Sequence, residues 1–223
     1  MNKNPIILAL DNVSNIQEAI DITKKVKGKI YTLKLGLHFW NKFGKECVKK
    51  INQLGVNNIF LDLKIADIGS TTKQSILALD KINFNYLSVH AFCGNIKKAK
   101  EAAKQINPNL KILAVTVLTD VIELKNMGIH SKVEDLILNL AKNSSDADGF
   151  IASGAEAKML RENFPNHLIF TPGVRLPGDD KHEQKRVVTP AASLKYSDSI
   201  IMGRSLLAGD IQKNLEKVLN SIK

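Results

Sequence analysis

The sequence has little cysteine and no long apolar run. Its 223 residues include only two cysteines, Cys47 and Cys93, which form no C-x-x-C motif. We therefore expect reduced thiols rather than a disulfide framework, a redox centre or a thiolate metal site. No apolar stretch approaches the roughly 20 residues that a membrane span needs, and the run at residues 5–10 is too short for the core of a signal peptide. We expect a cytoplasmic protein that does not contact a membrane.

Arginine is also scarce, although the chain carries a net charge of +10. Only four of the 32 basic residues are arginines, and the lysines are spread over predicted helices without interleaved aromatic residues. This distribution is typical of solvated helix faces, so we expect no nucleic-acid partner. A positive field can still attract a small anionic substrate. Each arginine is a candidate for bidentate anion binding.

Motifs for nucleotide cofactors and metals are absent from the sequence. There is no G-x-G-x-x-G and no P-loop, and the five histidines are scattered without an i, i+4 pair. These absences predict no nucleotide cofactor and no histidine-bound metal.

Short apolar runs alternate with amphipathic segments along the whole chain, and no Pro/Gly/Ser-rich linker interrupts them. This alternation predicts a parallel sheet covered by helices. Eight such units favour a single domain at 1–223 that forms a (β/α)₈ TIM barrel, with an open doubly wound sheet as the alternative. The predicted strands begin at Ile6, Ile30, Ile59, Tyr86, Lys111, Gly149, Leu168 and Ser199.

The first predicted helix carries signals at both ends. Ser14 and Gln17 fit a capping box at its start, and Gly28 lies where a C-terminal cap belongs.

Charged residues concentrate at the ends of the first three predicted strands. Asp11 follows the first strand, Lys34 lies in the second, and Asp62, Lys64 and Asp67 come from the third. Because buried ion pairs stabilise a fold only weakly, we interpret this cluster as functional. Carboxylates can hold a lysine charged as a proton donor, and a carboxylate next to a substrate anion destabilises that anion. The cluster suits chemistry that creates a carbanion.

The last two strands carry the features of a phosphate site. Arg175 ends the segment T-P-G-V-R at 171–175, and a polar segment follows that is long enough for a closing loop at about 172–187. Gly203 and Arg204 come directly after the eighth strand. Barrels often bind phosphate between the loops after strands seven and eight. The hydroxyl of Thr119, after strand five, could donate to a polar edge of the ligand.

These motifs together resemble the orotidine 5′-phosphate decarboxylase family. The resemblance rests on D-x-K-x-x-D at 62–67, T-P-G-V-R at 171–175, Gln184, and I-M-G-R at 201–204, and it spans nearly the whole chain. It implies decarboxylation of orotidine 5′-phosphate to uridine 5′-phosphate, the last step of UMP synthesis, without a metal or an organic cofactor.

The resemblance also implies roles for the charged residues. Lys64 would be the proton donor, and Asp62 would lie against the substrate carboxylate. Lys34 would complete the charged array and, with Asp11, hold the ribose hydroxyls. Asp67 would come from the partner subunit of a homodimer.

The remaining implied contacts lie on the loops. Ile68 and Thr71 would reach into the neighbouring site, Thr119 would meet the pyrimidine, and Gln184 would bridge base and phosphate. The implied phosphate ligands are Arg175, Gly203 and Arg204.

The chain departs from the common bacterial pattern at three positions, where it has Ala66, Gly69 and Ser70. We expect these changes to affect loop rigidity and dimer contacts rather than the reaction.

Two alternatives remain. Magnesium-dependent sugar-phosphate relatives, namely 3-keto-gulonate 6-phosphate decarboxylase and hexulose-phosphate synthase, carry an acidic residue near the end of strand two, where this chain has Lys34. A non-catalytic barrel that binds nucleotides or RNA would leave the charged cluster idle.

Overall fold

The computed structural model describes residues 4–56, 58–121, 123–125, 128–176 and 188–222. Eight parallel strands pair in sequence order, and the eighth strand pairs with the first to close a barrel. Helices lie between successive strands. The predicted (β/α)₈ fold is therefore confirmed, and the open doubly wound sheet is wrong. The strands are β1 (Ile6–Ala9), β2 (Thr32–Gly36), β3 (Ile59–Ile65), β4 (Tyr86–His90), β5 (Lys111–Val115), β6 (Gly149–Ile151), β7 (Leu168–Thr171) and β8 (Ser199–Met202).

The helices cover the outside of the barrel. They are α1 (Ile16–Val26), α2 (Leu37–Gln53), α3 (Gly69–Leu77), α4 (Ile96–Ile106), α5 (Val133–Asn143), α6 (Ala157–Asn163), α7 (Pro190–Leu194), α8 (Arg204–Leu207) and α9 (Ile211–Ser221), and a short 3₁₀ turn spans Ala91–Cys93. Within the described residues, no helix is both long enough and apolar enough to cross a membrane.

Seven strands begin at the predicted residue, and β2 begins at Thr32 instead of Ile30. The difference arises because the turn after α1 extends further than the apolar pattern suggested. Gly28 takes the left-handed conformation expected of a C-terminal cap, with φ 78°. Lys29 N–H then donates to the carbonyl of Val26 at 2.8 Å.

The capping box predicted at Ser14 and Gln17 is wrong by one residue. The N-cap of α1 is Asn15, whose side chain accepts from Glu18 N–H at 2.9 Å. The Glu18 carboxylate accepts in return from Ser14 N–H at 2.6 Å. Asn15 is the N-cap instead of Ser14 because its side chain accepts from an N–H of the first turn. The glutamate three residues later completes the capping box.

Alternate residues of each strand face two separate cores. In β1, Ile7 belongs to a cluster inside the barrel with Phe60, Tyr86 and Phe170. Its neighbour Ile6 packs outward in the larger cluster between strands and helices. Burial on both faces explains why the strand sequences are mostly apolar instead of alternating between apolar and polar residues. Because apolar side chains fill the barrel interior, the charged residues of β2 and β3 stand out near the carboxyl ends of the strands.

Candidate active site

A cavity of about 1020 Å³ opens at the carboxyl ends of the strands. Eight of the twelve site residues predicted from the sequence line it. These are Asp11, Lys34, Asp62, Lys64, Thr119, Arg175, Gly203 and Arg204. The barrel brings them together because parallel strands end at the same side of a barrel.

The charged residues of β1, β2 and β3 form one continuous chain of ion pairs. Lys34 Nζ lies 2.8 Å from Asp11 Oδ2 and 3.1 Å from Asp62 Oδ2. Lys64 Nζ lies 2.7 Å from the same Asp62 oxygen. Two ammonium groups therefore share one carboxylate oxygen. The Lys34 and Asp62 side chains are only 6% and 7% exposed, whereas 29% of the Lys64 side chain faces the cavity.

The two buried charges keep each other ionised. Burial alone would raise the pKa of Asp62, but the charges of Lys34 and Lys64, with hydrogen bonds from Lys64 and Ser88, lower it to about 2. Burial alone would lower the pKa of Lys34, but the carboxylates of Asp62 and Asp11 raise it above its ordinary value. The site therefore holds fixed, opposite charges in a water-poor place, where electrostatic interactions are strongest.

The strand that carries Asp62 and Lys64 is interrupted by a bulge. β3 and β4 pair regularly at Leu61 and Leu87, and pairing resumes at Ile65 and Val89 after a shift of register. Lys64, within the bulge, has φ 48°, a conformation that non-glycine residues seldom adopt. Bulges next to active sites aim side chains. Here the bulge accompanies a Lys64 side chain whose ammonium contacts the Asp62 carboxylate two residues earlier.

Ser88 of β4 was missed by the sequence analysis. Its hydroxyl donates to Asp62 Oδ1 at 2.8 Å and accepts from the Lys64 backbone N–H at 2.8 Å. A signal was available, because Ser88 lies two residues after Tyr86 and hence on the same, barrel-facing side of β4. A polar residue on that side is a candidate partner for the charged cluster.

Gly36 also contributes in a way that the sequence analysis missed. Its backbone N–H donates to Asp11 Oδ1 at 3.1 Å. A Cβ at this position would overlap the Asp11 carboxylate and lie 3.1 Å from Lys34 Nζ. Only glycine lets Asp11 approach the end of β2 so closely.

His90 lies at the end of β4, close to the charged chain. Its Nδ1 is buried without a hydrogen-bond partner in the described structure. Burial lowers the pKa of His90, and the nearby charge of Lys64 lowers it further against the opposite effect of Asp62. The ring is therefore a neutral neighbour of Lys64, packed 4.8 Å from the Phe92 ring.

Asp67, Ile68 and Thr71 are exposed and do not line the cavity of this chain. The Asp67 carboxylate accepts from Ile68 N–H at 2.7 Å. Its backbone carbonyl accepts from Thr72 Oγ1 at 3.1 Å and from Asn95 Nδ2 at 2.7 Å. The loop is thus held by α3 and by the start of α4, with the three predicted side chains pointing outward.

Gly69, at the start of α3, is closely surrounded by side chains from the start of α4. A Cβ there would meet the side chains of Lys98 and Asn95. The side chains of Asn95 and Lys98, at the start of α4, occupy the space that a larger residue at position 69 would need. Glycine at position 69, one of the three departures from the common bacterial pattern, therefore fits the packing of α4 against this loop.

The loops after β7 and β8 bring the two predicted arginines to the same cavity. Arg204 begins α8 directly after β8 and is half-buried. Arg175 is 7% exposed, and its Nη1 donates to the carbonyl of Val174 at 2.9 Å. Val174 and Val188 form an isolated bridge that joins the two ends of the predicted closing loop. Gln184 and residues 177–187 of that loop lie outside the described residues.

Within the described residues, no group of three or more His, Cys, Asp or Glu side chains could hold a metal ion. Cys47 and Cys93 are both free thiols.

Known proteins resemble this chain over nearly its whole length. The family model described as orotidine 5′-phosphate decarboxylase / HUMPS family matches residues 4–218. The orotidine 5′-phosphate decarboxylase of Buchnera aphidicola subsp. Schizaphis graminum is 36% identical, covering 97% of this chain and 93% of that protein. The enzyme of the same name from Wigglesworthia glossinidia brevipalpis is 34% identical, covering 100% of this chain and 99% of that protein.

Solved structures agree with the sequence comparison. The crystal structure of orotidine 5′-phosphate decarboxylase from Lactobacillus acidophilus superimposes with a TM-score of 0.84 at 30% identity, covering 99% of this chain and 100% of that one. An uncharacterized conserved protein from Geobacillus kaustophilus gives a TM-score of 0.82 at 25% identity, covering 98% and 100% of the two chains. The resemblance noted from the sequence is therefore confirmed: this chain belongs to the orotidine 5′-phosphate decarboxylase / HUMPS family.

Proposed function

We propose that this protein decarboxylates orotidine 5′-phosphate to uridine 5′-phosphate. The observation that carries the proposal is the Lys34–Asp62–Lys64 array at the cavity floor, in which the Lys64 ammonium is 2.7 Å from Asp62 Oδ2. The Lys64 ammonium supplies a proton, and Asp62 supplies a fixed negative charge. A proton donor can quench a carbanion, and a fixed negative charge can destabilise the carboxylate that leaves.

The reaction follows from this arrangement of charges. The substrate carboxylate on C6 would lie against Asp62, whose low pKa keeps it ionised, so repulsion destabilises the bound substrate. The bond between C6 and the carboxyl carbon breaks, carbon dioxide leaves, and the electron pair stays on C6. The Lys64 ammonium then gives a proton to C6. The product is uridine 5′-phosphate, and the Lys64 amine regains a proton from water.

Lys34 and Asp11 would hold the ribose hydroxyls. The Lys34 ammonium bonds both Asp11 and Asp62 and places a cation between the two carboxylates. This donor set favours chemistry without a metal, because an ammonium already occupies the position between the oxygens that a divalent cation would bridge.

Arg204, Gly203 and Arg175 line the cavity and would bind the phosphate, which in the substrate is remote from the reacting carbon. Guanidinium groups bind phosphate through paired, charge-assisted hydrogen bonds. Binding energy from this remote group can hold the carboxylate against Asp62, which raises the rate of the chemical step. Thr119 lines the same cavity and would face the pyrimidine ring.

We further propose that the active form is a homodimer. Four large apolar side chains are exposed shortly after the carboxyl ends of β2, β3, β4 and β5, on the same side of the barrel, and exposed apolar surface of this kind is typical of an interaction site. They are Leu37, Ile68, Phe92 and Leu118. In a dimer this face would be covered, and the outward-pointing Asp67, Ile68 and Thr71 would reach the partner's cavity.

Turnover of orotidine 5′-phosphate, followed by the loss of its ultraviolet absorbance with a chelator present, tests the proposed reaction. We expect the wild-type protein to be active and Lys64→Ala to be inactive. Lys64→Arg is a matched variant, because it keeps the positive charge but its guanidinium does not give up a proton near neutral pH. It should also be inactive. A fully active Lys64→Ala protein would rule out Lys64 as the proton donor and with it the proposed mechanism.

An inactive wild-type protein that is folded would point to the alternatives. Activity on a sugar phosphate that needs added magnesium would indicate the sugar-phosphate branch. Tight, salt-dependent RNA binding without turnover would indicate a binding protein.

A further inference from the structure

We propose that Ser88 is a positioning residue for the reaction: its hydroxyl fixes both the Asp62 carboxylate and the backbone of Lys64, so that the Lys64 ammonium is aimed at the reacting carbon. This inference rests on the proposed decarboxylase function. It concerns a residue that touches the two catalytic groups rather than the substrate.

The position of Ser88 opposite the β3 bulge is the first support. Ser88 is fully buried, at 0% exposure. It lies between Leu87 and Val89, which pair with Leu61 and Ile65 on the two sides of the bulge. The ladder between β3 and β4 is broken where Asp62 and Lys64 lie. The Ser88 side chain bonds both of these residues across the break.

The direction of the hydrogen bonds is the second support. The Ser88 hydroxyl has one proton, and its oxygen accepts from Lys64 N–H at 2.8 Å. That proton therefore goes to Asp62 Oδ1, 2.8 Å away. The other oxygen, Asp62 Oδ2, is left to the ammonium groups of Lys34 and Lys64. Each carboxylate oxygen thus has its own partners, and the group cannot rotate without losing one of them.

The backbone of Lys64 gives a third support. With φ 48°, Lys64 adopts a conformation that β-carbon sterics disfavour, and such conformations persist only where the surroundings hold them. Without Ser88, the part-buried N–H of Lys64 would lose its acceptor. The same hydroxyl therefore holds both ends of the proton donor: its backbone directly, and its ammonium through Asp62.

A positioning role and a merely structural role give different kinetic results. If Ser88 only filled space, its removal would lower stability and leave the chemical step unchanged. If it positions the proton donor, its removal slows the chemical step while binding of the nucleotide persists, since the phosphate and base contacts lie elsewhere in the cavity.

The experiment compares Ser88→Ala with the wild type and with Ser193→Ala. Ser193 in α7 is an equally buried serine, 1% exposed, whose hydroxyl contacts that of Ser197 after the end of the helix. We expect Ser88→Ala to lower kcat at least about tenfold and to change KM and the Kd of uridine 5′-phosphate by less than about threefold. Ser193→Ala should leave kcat unchanged. Ser88→Thr, which keeps the hydroxyl, should recover most of the lost kcat.

Amide hydrogen exchange provides a readout that does not depend on turnover. In Ser88→Ala the Lys64 amide should exchange at least about tenfold faster, because it has lost its acceptor, whereas the amide of Leu87 in the regular ladder should be unaffected. If Ser88→Ala does not fold, Ser88→Cys, with nearly the same volume and a weak donor, should show a smaller change in the same direction.

Two results would overturn the proposal. The first is a Ser88→Ala protein with wild-type kcat. The second is an equal loss of kcat in Ser193→Ala, which would trace the effect to general destabilisation. If the wild-type protein does not convert orotidine 5′-phosphate but Lys64 exchange still accelerates in Ser88→Ala, the proposed reaction fails while the contact that Ser88 makes is upheld.

Discussion

The carboxylate of Asp11 lies in the space that a side chain at Gly36 would occupy, and the Gly36 N–H donates to it at 3.1 Å. This approach lets Asp11 contact Lys34, so the position of the Lys34 ammonium depends on the absence of a β-carbon at Gly36. We expect Gly36→Ala to lower kcat/KM at least about tenfold, since both Asp11 and Lys34 must move. Steady-state kinetics measure the effect.

The matched control is Gly28→Ala. Gly28 has φ 78° and no atom near its absent Cβ. Alanine there should cost about 1 kcal/mol of unfolding free energy and leave kcat unchanged. If Gly36→Ala behaved like Gly28→Ala, the Asp11 contact would be irrelevant to catalysis.

The low pKa of Asp62 predicts how stability depends on pH. The pKa falls from 3.8 to about 2 in the folded chain, so the ionised form stabilises the fold by about 2 kcal/mol above pH 4. This contribution disappears as the pH falls from about 4 towards 2. Asp62→Asn lacks it at every pH. Chemical unfolding should show a stability gap between the two proteins at pH 6 that narrows at pH 2.5, and a gap independent of pH would contradict the assignment.

The two arginines proposed to bind the phosphate should respond differently to substitution. Arg204 is half-buried, and Arg204→Ala should weaken uridine 5′-phosphate binding by about 10- to 100-fold, because hydrogen bonds to a charged group are worth roughly 1.5–3 kcal/mol. Arg175 is 7% exposed, so Arg175→Ala should also lower the unfolding free energy by about 2 kcal/mol or more. Calorimetric titration and thermal unfolding separate the two effects.

Uridine, which lacks the phosphate, is the control ligand for both arginine variants. Its affinity should not change. Equal weakening of uridine and uridine 5′-phosphate would place these arginines away from the phosphate.

A shared active site predicts that two inactive proteins restore each other's activity. Lys64→Ala and Asp67→Ala should each be inactive alone. Mixing them under exchanging conditions should recover about a quarter of the wild-type activity, because half of randomly assorted dimers are hybrids and each hybrid keeps one intact site. The recovered kcat and the mass in solution are measured together. If the proteins are dimeric and the mixture stays inactive, Asp67 acts in the active site of its own chain and not in that of the partner.

Much of the fold could be predicted from the sequence, because each strand is a short apolar run that ends at a change of composition. Seven strand starts were correct, and β2 was misplaced because the turn after α1 carries apolar residues that resemble a strand. The charged cluster was also predictable, since Lys34, Asp62 and Lys64 interrupt segments that are otherwise apolar.

The contacts of Ser88 and Gly36 could not be predicted, because each depends on a neighbouring strand. The sequence pattern places Ser88 on the barrel-facing side of β4 but does not show which groups it bonds. Ser88 matters through the register of β4 against the β3 bulge, and Gly36 through the approach of the loop that carries Asp11. The burial of Arg175 likewise depends on packing that no local pattern encodes.

The sequence by itself determined the eight β-α units, and with them a parallel barrel whose charged residues gather at one end. Hydrophobic periodicity sets these features, and periodicity is local. Only the tertiary structure decided that Asp62 shares one oxygen with two lysines and gives the other to Ser88. Those contacts join different strands, and their geometry is set by strand register and by the bulge at Lys64. Both result from closing the barrel and not from any single segment of the chain.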